Sequence, residues 1–287
     1  MPHFGCILLT TGRKPADLAL ALESLLRQRG VELDTVVVGN GWAPEGLTAG
    51  VRGIHEPVDR GIPAGRNAGV PHVRGDLIFF LDDDAALADD AALVRVAALF
   101  AADPALGMVQ LRVEPRDPGG RRSRDWVPRL RSSDPWRSSD VTLVWEGAVA
   151  VRRDAFAQAG SWPSEFRFMH EGVALGWRMM DAGWRIRYAG DVVVHHPSPS
   201  GVSHEGWHWY GARNRVLLAR RHLRFPLTWL YVGAFALRTA ARLKSRRAAR
   251  EIAHGYATGL RMPRGFRQPL KASTLWRMVR AGRPPIM

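Results

Sequence analysis

Short unbroken apolar runs alternate with stretches of helical period along most of this chain, and the alternation predicts its elements. Gly5-Cys6-Ile7-Leu8-Leu9-Thr10 reads as a first strand. Over 16–29, Leu18, Leu22, Leu25 and Leu26 recur on one face, the mark of an amphipathic helix. A second strand over 33–38 ends at the turn Gly39-Asn40-Gly41, and 51–55 is a short third strand. The loop 56–63 leads into a helix carrying Arg66 and Asn67, after which 76–81 returns to strand. A helical pattern starts near Ala85 and is firm over 89–102, followed by a strand over 107–113. Residues 114–140, rich in Arg, Ser, Pro, Asp and Gly, lack a period and predict a long loop over the site. Beyond them the pattern gives a strand over 142–151, a short helix over 154–158 and a helix over 171–182. Edge-type strands follow over 184–188 and 192–195. From Trp207 onward the pattern is helical and basic. Strand and helix in alternation predict an α/β fold with a parallel, nucleotide-binding sheet.

One strand end carries unusual chemistry. Leu77-Ile78-Phe79-Phe80-Leu81 is continuously apolar, as in the centre of a parallel sheet, and Asp82-Asp83-Asp84 follows at once. Three adjacent carboxylates repel one another unless a cation or solvent screens them. Ligands of open α/β sheets bind beyond the carboxyl ends of the strands. The triplet therefore either seats a hard divalent ion shared with substrate phosphates, or forms a solvated strand end that caps the next helix.

Composition narrows the partners. A length of 287 residues allows one large domain, or a domain with an appended helical segment. Cys6 is the one cysteine, so no internal disulfide forms, which fits a reducing cytosol. The net charge of +14 suits nucleotide phosphates, lipid headgroups or nucleic acid, and the arginines thicken over 213–224 and 238–250. The first residues enter a strand without a basic or long apolar leader, so no signal peptide is expected. The apolar stretch 225–237 falls short of the ~20 residues that span a bilayer and is flanked by arginines. It reads as an interfacial or partner-packing segment.

Several of these segments, in order and spacing, resemble the family-2 glycosyltransferases of GT-A fold. Leu8-Leu9-Thr10-Thr11-Gly12-Arg13 followed by 22–28 is similar to the opening motif. Arg60-Gly61 through Arg66-Asn67-Ala68-Gly69 resembles the Gly-x-x-x-Ala-Arg-Asn-x-Gly signature, with Gly65 for the usual Ala. Asp82-Asp83-Asp84 resembles the Asp-x-Asp motif. Gly147 and 152–156 with Gly160 resemble the acceptor-side strand and turn. The resemblance covers about residues 5–215.

It implies a mixed, mainly parallel sheet flanked by helices over 1–215, with a basic helical extension over 216–287. It further implies that Thr10, Thr11, Arg13, Arg60, Gly61, Arg66, Asn67, Asp82 and Asp83 bind the nucleotide-sugar. Asp84 would ligate Mn2+ or Mg2+, with His195 favoured over His196 to complete the shell. The family's carboxylate at the end of the second strand is missing here; Asn40 either supplies hydrogen bonds in its place or only connects elements. The family also begins the helix at 171 with Glu-Asp, where this chain has Glu171-Gly172. Glu171 is then the candidate general base, with His170 as understudy. Gly147, Trp207, Trp209 and Arg213 fall on the acceptor and diphosphate side.

The expectation is an inverting, metal-dependent glycosyltransferase taking a UDP-, GDP- or dTDP-sugar to a glycan or lipid-linked acceptor. It is expected in the cytoplasm, with peripheral contact on the inner face of the plasma membrane through its basic C-terminal segment. A silent sugar-nucleotide-binding relative is the alternative, suggested by Gly172. A nucleic-acid binder is disfavoured, because no recognisable RNA or DNA module accompanies the charge.

Overall fold

The computed structural model describes residues 1–129, 134–198, 206–241, 243, 245–265 and 267–285. Part of the long segment expected over 114–140 thus lies outside the described residues.

Apolar runs become a nine-stranded sheet among the described residues. In chain order the first half comprises β1 (His3–Thr10), α1 (Pro15–Leu26), β2 (Glu32–Asn40), β3 (Val51–Glu56), α2 (Ile62–Gly69), β4 (Leu77–Asp82), β5 (Ala86–Leu87) and α3 (Ala92–Ala102). Then come β6 (Leu106–Pro115), β7 (Ser139–Asp140), β8 (Ala148–Arg152), α4 (Arg153–Gln158), α5 (Glu171–Asp181) and β9 (Arg185–His196). Four helices close the chain: α6 (Trp207–His222), α7 (Leu227–Ala240), α8 (Arg246–Arg261) and α9 (Ala272–Arg280). The order across the sheet is β3-β2-β1-β4-β8-β6-β9-β5, with β7 on β9. The pairings of β1 with β2 and β4, of β2 with β3, and of β6 with β9 are parallel. Antiparallel β8 sits between β4 and β6.

Two-residue alternation divides the core into two layers. Cys6, Leu8, Phe79, Leu81, Val109 and Ala150 face α1 and α3. Ile7, Ile78, Phe80, Met108, Val149 and Val151 face the opposite layer with α4, α5 and α6. There Phe80 meets Phe156 and Trp162 at ring separations of 5.5 and 5.3 Å. With both faces covered, β4 reads as an unbroken apolar run.

Three local expectations are corrected. The helix read from 85–89 begins only at Ala92. Residues 86–87 are extended because partners far along the chain take their backbone: Leu87 N donates to Ser24 Oγ at 3.0 Å and Ala88 N to the Val193 carbonyl at 3.1 Å. The two edge strands over 184–195 are one strand, β9, inside the sheet, with a register shift against β6 between Leu111 and Arg112. Gly190 permits this, since a Cβ there would lie 2.1 Å from the Trp136 carbonyl oxygen. Only 148–152 of the strand expected over 142–151 pairs, leaving 142–147 as loop.

The C-terminal helices pack onto the sheet domain. Residue 215 lies inside α6. Helix α8 crosses α6 at close range: a Cβ on Gly255 would come 2.5 Å from Trp209 O, and one on Gly259 2.7 Å from Arg213 O. Helix α9 is tied to α5 through Thr274 Oγ1 and Lys271 N, which donate to Asp181 Oδ1 at 2.7 and 2.8 Å. Among the described residues no helix is long and apolar enough to cross a membrane.

Candidate active site

The carboxyl ends of β1 and β4 open into a cavity of about 1610 Å³ walled by residues from both ends of the chain. Sheet register sets its centre, since Leu9 lies beside Asp82 and Asp82 N donates to Gly147 O at 2.9 Å.

Asp82, Asp84 and His196 each offer a ligand atom, all within 4.8 Å of one another. His196 Nε2 lies 3.1 Å from Asp84 Oδ1, while its Nδ1 is 2.8 Å from the Pro197 carbonyl. Of the two histidines it is therefore His196 that meets the acidic corner, correcting the preference for His195. Strand alternation sends the residue before it to the other face. Burial opposes a charge on His196, but the hydrogen bond and charge of Asp84 outweigh it and raise its pKa. Burial likewise opposes the Asp84 charge, yet His196 and Lys14 hold its carboxyl well below the usual range. Lys14 Nζ sits 2.8 Å from Asp84 Oδ2. Asp83, hydrogen-bonded to Thr10, is pushed up to about 6, chiefly by burial and then by Asp84 and Asp82. Two carboxylates and an imidazole at this acidic corner form a donor set that fits a divalent ion, an imidazole suiting Mn2+ better than Mg2+.

Arg66 lies behind the corner, 4% exposed, with Nη2 2.6 Å from Asp82 Oδ1 and its guanidinium 5.4 Å from the Trp162 ring. Beyond it stand two carboxylates at the start of α5. Glu171 is 3% exposed and its Oε2 has no partner. Glu146, in the loop before β8, is half-buried and accepts from Gly172 N at 2.5 Å. Burial, then the Glu171 charge, lifts Glu146 to about 8, with Arg66 opposing. Glu171 is lifted too, chiefly by burial. Each of these like charges opposes ionisation of the other. The loop ahead of α5 is strained, with positive φ at Arg167, Met169 and His170. Asn214 holds it, donating through Nδ2 to the carbonyls of Phe166, Phe168 and Met169 at 2.7–3.0 Å.

Thr10, Thr11, Arg13, Asn40, Gly61, Asp82, Asp83, Gly147, His170, Glu171 and Trp207 also line the cavity. Asn40 uses its side chain internally, donating to Asp59 Oδ1 at 2.8 Å and accepting from Arg60 N at 2.9 Å. His170 is a weak base, its pKa pushed down to about 3 by burial and its Nε2 3.1 Å from the Gly211 carbonyl. Five expected residues stand outside the cavity, His195 among them. The Arg60 side chain turns to solvent beside Glu56. Asn67 joins α2 to Trp162 and Ser164. Trp209 packs on Tyr210, and Arg213 is buried against the carbonyls of Glu165 and Phe166.

Sequence reasoning missed Lys14, Asp59 and Glu146. Lys14 and Asp59 flank motifs already singled out, one beside Arg13 and the other before Arg60-Gly61, so adjacency was their signal. Glu146 had only its place before Gly147.

Comparison with known proteins accords with this geometry. A 105-residue stretch is 36% identical to N-acetylglucosaminyl-diphospho-decaprenol L-rhamnosyltransferase of Mycobacterium tuberculosis (strain CDC 1551 / Oshkosh), covering 34% of this chain and 34% of that one. The match spans about a third of that relative's length. In shape the chain is similar to GalNAc-T7 with UDP, GalNAc and Mn2+, at a TM-score of 0.62 and 13% identity over 91% of this chain and 56% of that one. It is similar to the mannosyltransferase PcManGT of Pyrobaculum calidifontis with GDP-Man and Mn2+, at 0.59 and 18% over 98% and 84%. It is also similar to S. aureus TarS 1-349 with UDP-GlcNAc, at 0.61 and 13% over 91% and 81%. At such identities these likenesses speak to the fold, which is GT-A. The family model for glycosyl transferase family 2 matches residues 6–160, from β1 through the acidic end of β4 to the turn after α4, and the chain belongs to that family.

Proposed function

We propose that this protein is an inverting glycosyltransferase that moves a sugar from a nucleoside-diphosphate donor to an acceptor hydroxyl in cell-envelope glycan synthesis. One observation carries the reading: the Asp82–Asp84–His196 cluster and the Glu146–Glu171 pair open into one cavity, joined through Arg66 and the Asp82 N–Gly147 O bond. Asp82, Asp84 and His196 would hold Mn2+ or Mg2+, which when bound neutralises charge on the departing diphosphate. Thr10, Thr11, Arg13 and Asp83 line the donor end. Arg66 fixes the Asp82 carboxylate, and a single carboxylate beside α5 takes the acceptor proton.

The rhamnosyltransferase relative makes a lipid-diphosphate-linked sugar the acceptor class to try first. The C-terminal helices suit it. Trp229, Leu230 and Leu237 on α7 and Trp276 on α9 are half or more exposed, among arginines that attract anionic lipid. The protein then works as a peripheral enzyme on the inner face of the plasma membrane.

The test is a thermal-shift screen of UDP-, GDP- and dTDP-sugars with and without Mn2+ or Mg2+. Metal-dependent stabilisation by one nucleotide class, with release of that nucleoside diphosphate on addition of acceptor, is the expected result. Stabilisation that is indifferent to chelator, or absent for every donor, defeats the reading. Flotation with anionic but not zwitterionic vesicles tests the membrane contact.

A further inference from the structure

We propose that Glu146 is the residue that removes the acceptor proton, reaching the first turn of α5 from the loop before β8; this rests on the glycosyl-transfer reading above. Gly172 leaves room for no side chain. A Cβ on that residue would lie 2.3 Å from Glu146 Oε1, 2.8 Å from Glu146 Cδ and 2.3 Å from the Val144 carbonyl oxygen. The Val144 backbone cannot give way as a flexible side chain would. Helix α5 can therefore carry no side chain of its own at its second position, and the Glu146 carboxylate occupies the volume where one would start.

The two carboxylates at this corner are not equivalent. Glu171 also borders the cavity but is 3% exposed, with its Oε2 buried and without a hydrogen-bond partner, so it offers an acceptor hydroxyl the smaller surface. Glu146 is the more exposed of the pair and borders the cavity. Gly172 N–H holds its Oε1, which fixes the carboxylate plane. The backbone on either side of it is pinned as well. Trp145 N donates to Gln110 Oε1 at 2.8 Å, and Gln110 is fully buried. Gly147 O accepts from Asp82 N, so the loop bearing Glu146 is bonded directly to the strand end that grips the donor. Such positioning is what a proton acceptor needs, because small displacements cost large factors in rate. Burial and the neighbouring Glu171 also keep Glu146 more basic than an exposed carboxylate, with the Arg66 charge opposing them.

The step balances as follows. The acceptor O–H bond breaks and its proton passes to the Glu146 carboxylate. The oxygen's electron pair forms the new bond to the anomeric carbon from the face opposite the leaving group. The bond from that carbon to the diphosphate oxygen breaks, and its pair leaves with the nucleoside diphosphate.

The test compares Glu146→Gln, Glu171→Gln and Glu146→Ala in the full chain. Turnover is followed as nucleoside diphosphate released from the donor selected by the thermal-shift screen, and binding as the thermal shift given by UDP with Mn2+. Glu146→Gln keeps an oxygen for Gly172 N–H, so it should fold, retain the UDP–Mn2+ shift and lose roughly 10²- to 10⁴-fold in turnover. Glu171→Gln should keep the larger part of its turnover. Added formate should restore turnover to Glu146→Ala in proportion to its concentration, because a small carboxylate fits the vacated place. Glu146→Gln within tenfold of wild type, or Glu171→Gln more damaging than Glu146→Gln, overturns the assignment while leaving the glycosyl-transfer reading intact. A wild type that consumes no donor overturns both.

Discussion

Replacing Arg66 by Met tests the electrostatic account of the site without touching any proposed proton acceptor. Met keeps much of the aliphatic stem against Trp162 and removes the charge. The guanidinium side chain is 5% exposed and lies 2.6 Å from an Asp82 carboxylate that is 30% exposed. With charge centres about 4 Å apart and an effective dielectric of about 20, the attraction is about 4 kcal/mol. Removing one member of such a buried pair costs about 3–5 kcal/mol. Arg66 also opposes the upward shifts of Glu146 and Glu171. Both acids have folded-state pKa values above their unfolded ones, so their stability contribution is intact at low pH and is lost as pH rises, for Glu146 toward about 8. Without Arg66 those values climb further, and the loss at pH 8 deepens at up to about 1.4 kcal/mol per pH unit for each proton retained. Urea unfolding followed by tryptophan fluorescence at pH 5 and pH 8 measures the gap between variant and wild type. The gap should be near 3 kcal/mol at pH 8 and smaller by about 1–2 kcal/mol at pH 5. A gap under about 1 kcal/mol at pH 8, or one that widens on acidification, refutes the reasoning.

Four further outcomes are expected. Asp84→Asn and His196→Ala should abolish the Mn2+-dependent part of the thermal shift given by UDP, whereas His195→Ala should retain it; equal losses at both histidines would contradict the observed geometry. Gly5→Ala should cost about 1–3 kcal/mol in chemical denaturation, since its Cβ would fall 2.5 Å from the Arg74 carbonyl oxygen. Gly65→Ala meets only the movable end of Leu9 at 2.4 Å and gains helix propensity, so it should change stability by less than about 1 kcal/mol. Asn214→Ala strips donors from the carbonyls of Phe166, Phe168 and Met169 and should lower unfolding free energy by about 2–3 kcal/mol, with faster amide exchange over 166–171.

Where the sequence succeeded and where it failed follows from which forces act locally. Strand β4 and its acidic end were legible because an apolar run buried on both faces and stopped by three aspartates has few other readings. The helix over 62–69 was legible from Gly61 and Pro63 at its start. Strand β5 was not, because Ala86-Leu87 is held extended by Ser24 and Val193, partners that no local pattern reveals. The histidines at 195 and 196 differ only in the face they take, and that phase is fixed by the register shift of β9 against β6. Asn67, Trp209 and Arg213 carry motif-like chemistry yet serve the frame, holding carbonyls or packing rings behind the cavity wall. Glu146 was hidden for the opposite reason. Its importance comes from the methyl-sized gap at Gly172, twenty-six residues away and in contact only after folding.

The glycine pair on α8 has a consequence for how this enzyme can diversify. The acidic end of the cavity comes from the first half of the chain, whereas Ser245, Ile252, Met278 and Arg283 form part of its wall from the C-terminal helices. That wall hangs on α6 through the contact of Gly255 and Gly259 with the Trp209 and Arg213 backbone. The shape of that wall can therefore change by exchange of the last three helices as a cassette, provided both glycines travel with it. An alanine at either would lift the cassette off its hanger and let water into the seam.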